Sequence, residues 1–418
     1  MLLLEDLSAA HWPPPWRPDD VRRLLAALRV MASTPVTSGS VPELERDRGR
    51  FAGWLNVERD PAPFLSLGLC TEAWLAQALP NLLVAQDLAW LGGSELVHGD
   101  LRSDNLCFLG ERVVLVDWNA VRRGNAQFDL ASLAPSLRLE GGPVPDELLP
   151  GEGPLAALQS GYFAANAGLR PVVDAPLVRH IQLRQLRVAL PWAARAVGLP
   201  PPDLDWLERA AGRRDAALRE GTIDESRWFE LAEEALGDAH LASADPRLPA
   251  CAPCSEAELQ ASDELVLEAV PVRGRPCATL LIGAASGWAL DGLARVASER
   301  GLRLDADAVD PSPRLAAVAR ELFPERAAHV VSWPLLEPAP GRRYDLVVTT
   351  LENVPQPRRR EWIEQLLARC VAPSGRVVLR PERGAGPAQR AAALGLRPAG
   401  ALERAVAGHV LRGAWLAR

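Results

Sequence analysis

Within 20 residues, from His98 to Asp117, the chain carries a His, two loop acids, an Asn and a third acid. Asp100, Asn105 five residues later and Asp117 just past the apolar run 113–116 are the types that phosphoryl transfer from a nucleotide requires. One carboxylate orients the attacking hydroxyl, while an amide and the other carboxylate hold Mg²⁺ on the phosphates. A second set of candidates lies far downstream. The apolar run 277–282 ends in Gly283-Ala284-Ala285-Ser286-Gly287, a turn whose N–H groups, at the start of a helix, suit a carboxylate or phosphate. A second strand, roughly 304–309, ends at Asp310, a residue placed to accept from ribose hydroxyls. Glu352 and Asn353 follow a third such run and are expected as polar contacts at the mouth of the same cleft.

The first set must be carried by a small hairpin. Residues 95–98 form a brief extended segment, residues 99–105 a polar loop with a Gly able to take positive φ, and 106–108 and 113–116 the two strands. Asp117 is thereby expected at the end of a buried strand, close to the loop that holds Asp100 and Asn105. Around the hairpin the pattern is helical. Asp19 or Asp20 caps a helix with Val21, Leu24, Leu25 and Leu28 on one face. Thr71 starts another, and further helices are expected over 155–166, 177–197, 206–220 and 225–236. Residues 33–63 are polar and turn-rich and show no clear period. Asp129, at the start of a helix, suits backbone N–H groups of its own first turn or of the neighbouring loop.

From residue 258 the rhythm changes. After a helix over 258–270, strands at 277–282, 304–309, 329–332, 344–349, 375–380 and 409–416 alternate with helices at 311–322, 358–370 and 387–394. Such alternation over about 150 residues indicates a doubly wound parallel α/β sheet. The Pro/Ala/Cys stretch 248–257 reads as a linker, which gives domains 1–245 and 258–418 joined by 246–257.

With 418 residues and 48% apolar content there is material for two cores. A net charge of -7 without a basic stripe argues against a nucleic-acid partner. No run of 18 uncharged apolar residues occurs, so no membrane span is expected. The start carries acids at Glu5 and Asp6, unlike a signal peptide. Six Cys without a dense framework fit a reducing, cytoplasmic setting. The Cys251–Cys254 pair has CxxC spacing, but no second pair or His pair accompanies it, and it carries no metal or redox assignment.

HGDLRSDN followed by LVDWNAVRRGNAQFDLA resembles the C-terminal lobe of the aminoglycoside phosphotransferase and choline kinase-like family. The resemblance implies ATP and Mg²⁺, a small-molecule acceptor, Asp100 as the residue that positions or deprotonates the acceptor hydroxyl, and Asn105 and Asp117 on the metal. His98 would brace the loop and Asp129 would match the family's structural acid. LLLEDL resembles the segment that links the family's two lobes and whose backbone meets adenine, which brings in Glu5. The chain as given starts at that segment. A late start codon, a truncation or a partner chain supplying the N-terminal lobe would each account for this, and without that lobe the half-cleft would hold ATP in little more than a groove.

The second half, with its Gly-rich turn, Asp310, YDLVVTTLENV and VAPSGRVVL, resembles the Rossmann-like S-adenosylmethionine-dependent methyltransferases. That resemblance implies S-adenosylmethionine held by Gly283, Ser286, Gly287 and Asp310, with Ser332 in the region that contacts adenine. The fold expectation is therefore a kinase-like C-lobe, mainly helical with a catalytic hairpin, followed by a doubly wound methyltransferase-like sheet. Three functions fit these residues: a small-molecule phosphotransferase fused to a methyltransferase-like domain, a methyltransferase with a non-catalytic kinase-like substrate module, and a non-enzymatic binding or scaffold protein.

Overall fold

In the computed structural model, which describes residues 5–17, 19–37, 39, 41–202, 206–242, 255–283, 287–324, 330–332, 342–384, 386–406 and 408–418, apolar positions sort into two separate cores. The chain divides into two compact units, Met1–Trp206 with Leu241–Ala244 and Leu207–His240 with Asp245–Arg418. No helix among the described residues is long and apolar enough to cross a membrane. Residues 2–4 of the LLLEDL segment, the Cys251–Cys254 pair, Ser286 and most of the 246–257 linker lie outside the described residues.

The first unit is mainly helical. Its core is built where long apolar helices cross: Leu155, Ala156, Ala157 and Leu158 of the helix Gly153–Ala167 and Leu186, Ala189, Leu190 and Trp192 of the helix Val178–Ala196 are all almost wholly buried. Residues 33–63, which show no period, fold into short turns of helix, among them Leu44–Asp47, Arg48–Phe51 and Gly53–Arg59. These bury Phe51 and Trp54, the latter held by an Nε1 donation to the Ala157 carbonyl at 3.0 Å. Helices this short bury one or two large side chains each, so no stripe repeats along the sequence. Thr71 caps the helix Glu72–Ala85 by accepting from the Trp74 N–H at 3.1 Å, as expected, and Pro80 is accommodated inside that helix.

Three short strand pairings serve the loop. Strand β1 (Glu95–Val97) pairs antiparallel with β4 (Arg122–Gly124), and β2 (Leu106–Leu109) pairs antiparallel with β3 (Arg112–Leu115), Leu106 opposite Leu115. The third is a single bridge, His11 to Phe108. Strand β2 is buried, but β3 is only half-buried and Asp117 is exposed, contrary to the expectation of a buried strand. The reason is that β2 and β3 make a two-stranded sheet, so the outer strand has one face open to solvent.

The second unit is a seven-stranded sheet with helices on both faces. Its order is β10-β11-β9-β8-β5-β6-β7, where β5 is Cys277–Ile282, β6 Leu304–Asp310, β7 Val330–Ser332, β8 Tyr344–Thr349, β9 Val371–Glu382, β10 Gly400–Val406 and β11 His409–Ala417. Strands β5 to β9 are mutually parallel, and β10 and β11 close the sheet as an antiparallel hairpin with β11 inserted beside β9. The sheet is thus mixed rather than wholly parallel. Period-two burial feeds both faces: Leu281, Leu346, Val348 and Val378 meet the helices Glu256–Glu268 and Trp288–Glu299, while Leu280, Ile282, Val347 and Val377 meet Trp362 and Ile363. This is a Rossmann-like methyltransferase fold, and the first unit has the architecture of a kinase-like C-lobe. The switch point, where chain order reverses, falls between β5 and β8.

The compact units divide the chain differently from the boundaries read in the sequence. Most of the helices Trp206–Arg219 and Glu225–Ala242, expected in the first domain, belongs to the second. Ionic and polar contacts hold them there: Arg358 pairs with Glu225 at 2.6 Å, Arg359 with Asp215 at 3.4 Å, and Ser312 donates to Glu233 at 3.0 Å. Phe229 packs against the core on the same side.

Candidate functional sites

The loop after β1 is gripped from below by one acid. Asp129, fully buried, accepts from the backbone N–H of His98 at 2.7 Å and of Gly99 at 2.8 Å, one on each carboxylate oxygen. Of the two expected roles, it takes the neighbouring loop rather than its own first turn. Burial pushes its carboxyl up to about 6, against the pull of the two N–H donors. Gly99 has φ +80°, and a Cβ there would come within 2.1 Å of the Ala120 carbonyl oxygen, so only Gly fits. His98 accepts its expected bracing role: Nε2 lies 2.9 Å from the Val116 carbonyl, and its ring sits 4.7 Å from that of Trp118. Its Nδ1 is buried without a hydrogen-bond partner.

Asp100 follows directly and is half-exposed. The Asn105 amide nitrogen donates to the Asp100 carbonyl at 2.9 Å and lies 3.4 Å from its Oδ2, so these two residues are brought together. The Asn105 carbonyl accepts from the Val116 N–H at 2.9 Å, which places Asp117 one residue beyond that link, at the open end of the hairpin. Asp117 takes φ 60° and ψ 59°, the one positive-φ residue other than glycine among those described, and accepts from the Asn119 side chain. Arg102 lies 3.1 Å from Asp104 and 3.7 Å from Asp100, so it leans over the loop acids. Glu5, expected beside a nucleotide base, pairs instead with Arg112 at the start of β3.

The residue set fits Mg²⁺ held together with nucleotide phosphates. Asn105 spends its N–H₂ on Asp100 and keeps its carbonyl oxygen, and Asp117 is an exposed carboxylate beside it. A site of this kind uses one or two protein oxygens and leaves the rest of the octahedron to phosphate and water. No group of three or more His, Cys, Asp or Glu suited to a metal occurs among the described residues.

One anchor of the loop has no signal in the sequence. Glu140 accepts from Ser103 at 2.7 Å and from the Trp16 indole at 2.8 Å. The two contacts span 37 and 124 residues of chain, and nothing local marks Glu140 as their meeting point.

In the second unit, Asp310 at the carboxyl end of β6 is buried and accepts from the Ser312 N–H at 2.9 Å. Gly283, at the end of the adjacent β5, has φ +80°, and a Cβ there would meet the Asn353 side-chain amide at 3.0–3.1 Å. Asn353 donates to Thr349 at 3.1 Å and to the Ile282 carbonyl at 3.4 Å, which ties the ends of β8 and β5 across the switch point. The acid on β6 lies at this end of the sheet, and the missing Cβ of Gly283 on β5 makes room for the Asn353 side chain. Gly287 also has positive φ, +91°, and begins the helix Trp288–Glu299. Glu352 does not face a free cleft: it pairs with Arg390, which also holds Glu382. Ser332 ends β7 opposite Asp310 in the parallel register.

The family model described as the phosphotransferase enzyme family matches residues 2–172. No curated protein matches the chain. Among solved structures, the YcgJ protein of Bacillus subtilis is 18% identical over 31% of this chain and 53% of its own, with a TM-score of 0.24. The plantazolicin methyltransferase BpumL is 16% identical over 42% of this chain and 60% of its own, with a TM-score of 0.26. A SAM-dependent methyltransferase from Aquifex aeolicus is 17% identical over 38% of this chain and 92% of its own, with a TM-score of 0.29. The chain thus spans about half the length of the first of these. The fold of the second unit rests on its own strand order rather than on these overlaps.

Proposed function

We propose that the first unit is a phosphotransferase acting on the hydroxyl of a small molecule of the aminoglycoside or choline kind, and that the second binds S-adenosylmethionine as a methyltransferase-like unit. The setting is cytoplasmic, with neither nucleic acid nor membrane as partner. The observation that carries the proposal is the double grip of Asp129 on the His98 and Gly99 N–H groups, which presents Asp100, Asn105 and Asp117 at one end of the hairpin. ATP with Mg²⁺ supplies the transferable phosphoryl group when bound. Asp100 orients the acceptor hydroxyl and takes its proton, and Asn105 and Asp117 hold the metal. Asn105 also fixes Asp100 through the backbone carbonyl, so one residue sets both halves of the geometry.

The test is Mg²⁺-dependent binding of ATP to the full chain, followed by phosphoryl transfer to a panel of aminoglycosides and choline. Asp117→Ala is expected to abolish Mg²⁺-dependent binding. Asp100→Asn is expected to leave binding intact and to lower transfer by about 10²–10⁴-fold, the usual worth of a positioned general base. Transfer unchanged in Asp100→Asn rejects the assignment, and so does absence of Mg²⁺-dependent ATP binding by the parent.

Gly283 and Asp310 at the switch point favour a second reading, in which methyl transfer is the activity and the first unit holds the substrate. Saturable binding of S-adenosylmethionine that weakens at least tenfold in Asp310→Ala, without ATP binding, would establish it. Binding of neither nucleotide leaves a scaffold role.

A further inference from the structure

A buried charge without a partner is costly to keep, and the second unit keeps one. Arg214, on the helix Trp206–Arg219, is 7% exposed. Its Nε is buried with no hydrogen-bond acceptor, and no hydrogen bond or ion pair of its guanidinium occurs among the described residues. The group lies instead 4.4 Å from the ring centre of Trp228, itself fully buried. Asp215, the neighbouring acid, is already engaged: it accepts from the Trp228 indole at 2.8 Å and pairs with Arg359 at 3.4 Å. Arg214 and Arg359 therefore share one carboxylate, and Arg214 has the weaker claim. Burial pushes the Arg214 guanidinium down to about 10, with Asp215 opposing and Arg359 reinforcing, so it stays a cation at neutral pH.

The cluster is continuous with the strand ends. Arg359 Nε donates to the Val354 carbonyl at 3.4 Å, and Val354 follows Asn353, the residue that bridges β8 and β5. The Arg214 guanidinium carbon lies over the Trp228 ring, and a guanidinium seated on an aromatic face can still offer its edge N–H groups to an acceptor. A fork of this kind matches the two oxygens of a carboxylate or phosphate.

We infer that Arg214, seated on Trp228 and flanked by Arg359, anchors a carboxylate or phosphate group carried by the small molecule on which the second unit acts. The role in catalysis rests on the methyltransferase-like reading, whereas the oxyanion site stands on its own geometry. The two sources of oxyanion place the unit differently. A phosphate preference would make its substrate the product of a phosphotransfer, the class of reaction proposed for the first unit; a carboxylate preference would not.

The test is calorimetric titration of the full chain with inorganic phosphate and, separately, with acetate. Saturable millimolar binding of at least one is expected, weakened at least tenfold in Arg214→Met and strengthened severalfold in Asp215→Asn. Arg214→Met should fold with an unchanged or higher thermal midpoint, because it removes an unpaired buried charge. Should it fail to fold, Arg214→Lys decides, since it keeps the charge and loses the fork; at least a threefold loss is expected. Equal affinity in the folded variant, or no saturable binding of either anion by the parent, overturns the proposal. S-adenosylmethionine binding by the same variants is a separate readout, expected unchanged, so failure of the oxyanion site and failure of the methyltransferase-like reading are told apart.

Discussion

Two buried aspartates, one in each unit, solve the same problem in opposite ways. Asp129 meets two backbone N–H groups and no cation, and burial lifts its carboxyl to about 6. Asp345, near the start of β8, accepts both arms of Arg275 at 2.7 and 2.8 Å and the Ala278 N–H at 3.0 Å. The guanidinium holds that carboxyl below its usual range, with burial opposing. The difference follows from what each acid must do. Asp345 ties β8 to β5 at the end of the sheet opposite Gly283 and Asp310. Asp129 shapes the backbone turn that leads into Asp100, and its two N–H donors do that without a cation.

The comparison breaks most visibly at the catalytic loop, where Asp100→Asn carries the largest expected effect, the rate loss given above with binding retained. Next comes Gly99→Ala, whose Cβ would collide with the Ala120 carbonyl at a positive φ. It should cost about 2–4 kcal/mol by denaturant unfolding and should displace Asp100, lowering activity even where the chain folds. A smaller loss is expected from Arg275→Met, which leaves Asp345 buried with one N–H donor. The second unit should unfold at lower denaturant, with no change in ATP binding by the first.

The pH dependence sharpens the contrast through its sign. Asp129 has a folded carboxyl raised from 3.8 to about 6, so the folded state holds its proton more tightly than the unfolded chain. Its stabilising share is fully present below pH 3.8 and is lost as pH rises through 6, a change of about 3 kcal/mol for two pKa units. Asp345, lowered from 3.8, contributes above that value and loses its share as pH falls through its folded pKa. Unfolding followed by probes in each unit from pH 3 to 7 should show opposite slopes, and Asp129→Asn should flatten the first alone. The smallest effect belongs to Arg390→Met. Its pairs with Glu352 and Glu382 are more than a third exposed, and their loss should cost no more than about 1 kcal/mol.

What could be read in the sequence was what lies close together along it. The loop from His98 to Asn105, the hairpin and Asp117 form one contiguous stretch, so residue types and spacing carry most of their geometry. The sheet was legible because β5 and β8 are mostly apolar runs of near-standard length and β6 is an alternating one, each followed by a turn or helix; Ser312 caps the helix after β6, accepting from the Leu315 N–H at 3.2 Å. The strand β10 escaped notice because GALERAV buries one large side chain, Leu402, among polar and small residues. The helices 206–242 were assigned to the wrong neighbour for a related reason. Their attachments, Glu225 to Arg358 and Asp215 to Arg359, span 133 and 144 residues, and an amphipathic helix does not declare what it packs on. Arg214 was invisible altogether, since in a chain where every basic residue among the 46 is arginine, one more attracts no attention.

Asp117 sits in a left-handed backbone conformation that glycine adopts freely and a residue with a Cβ adopts at a cost of about 1–2 kcal/mol. A single A-to-G transition turns an aspartate codon into a glycine codon, so the easiest mutational path away from this residue is also downhill in folding free energy. Decay would meet no structural resistance there: a chain that had ceased to need the carboxylate would gain stability by discarding it. Folding alone does not account for an aspartate at position 117.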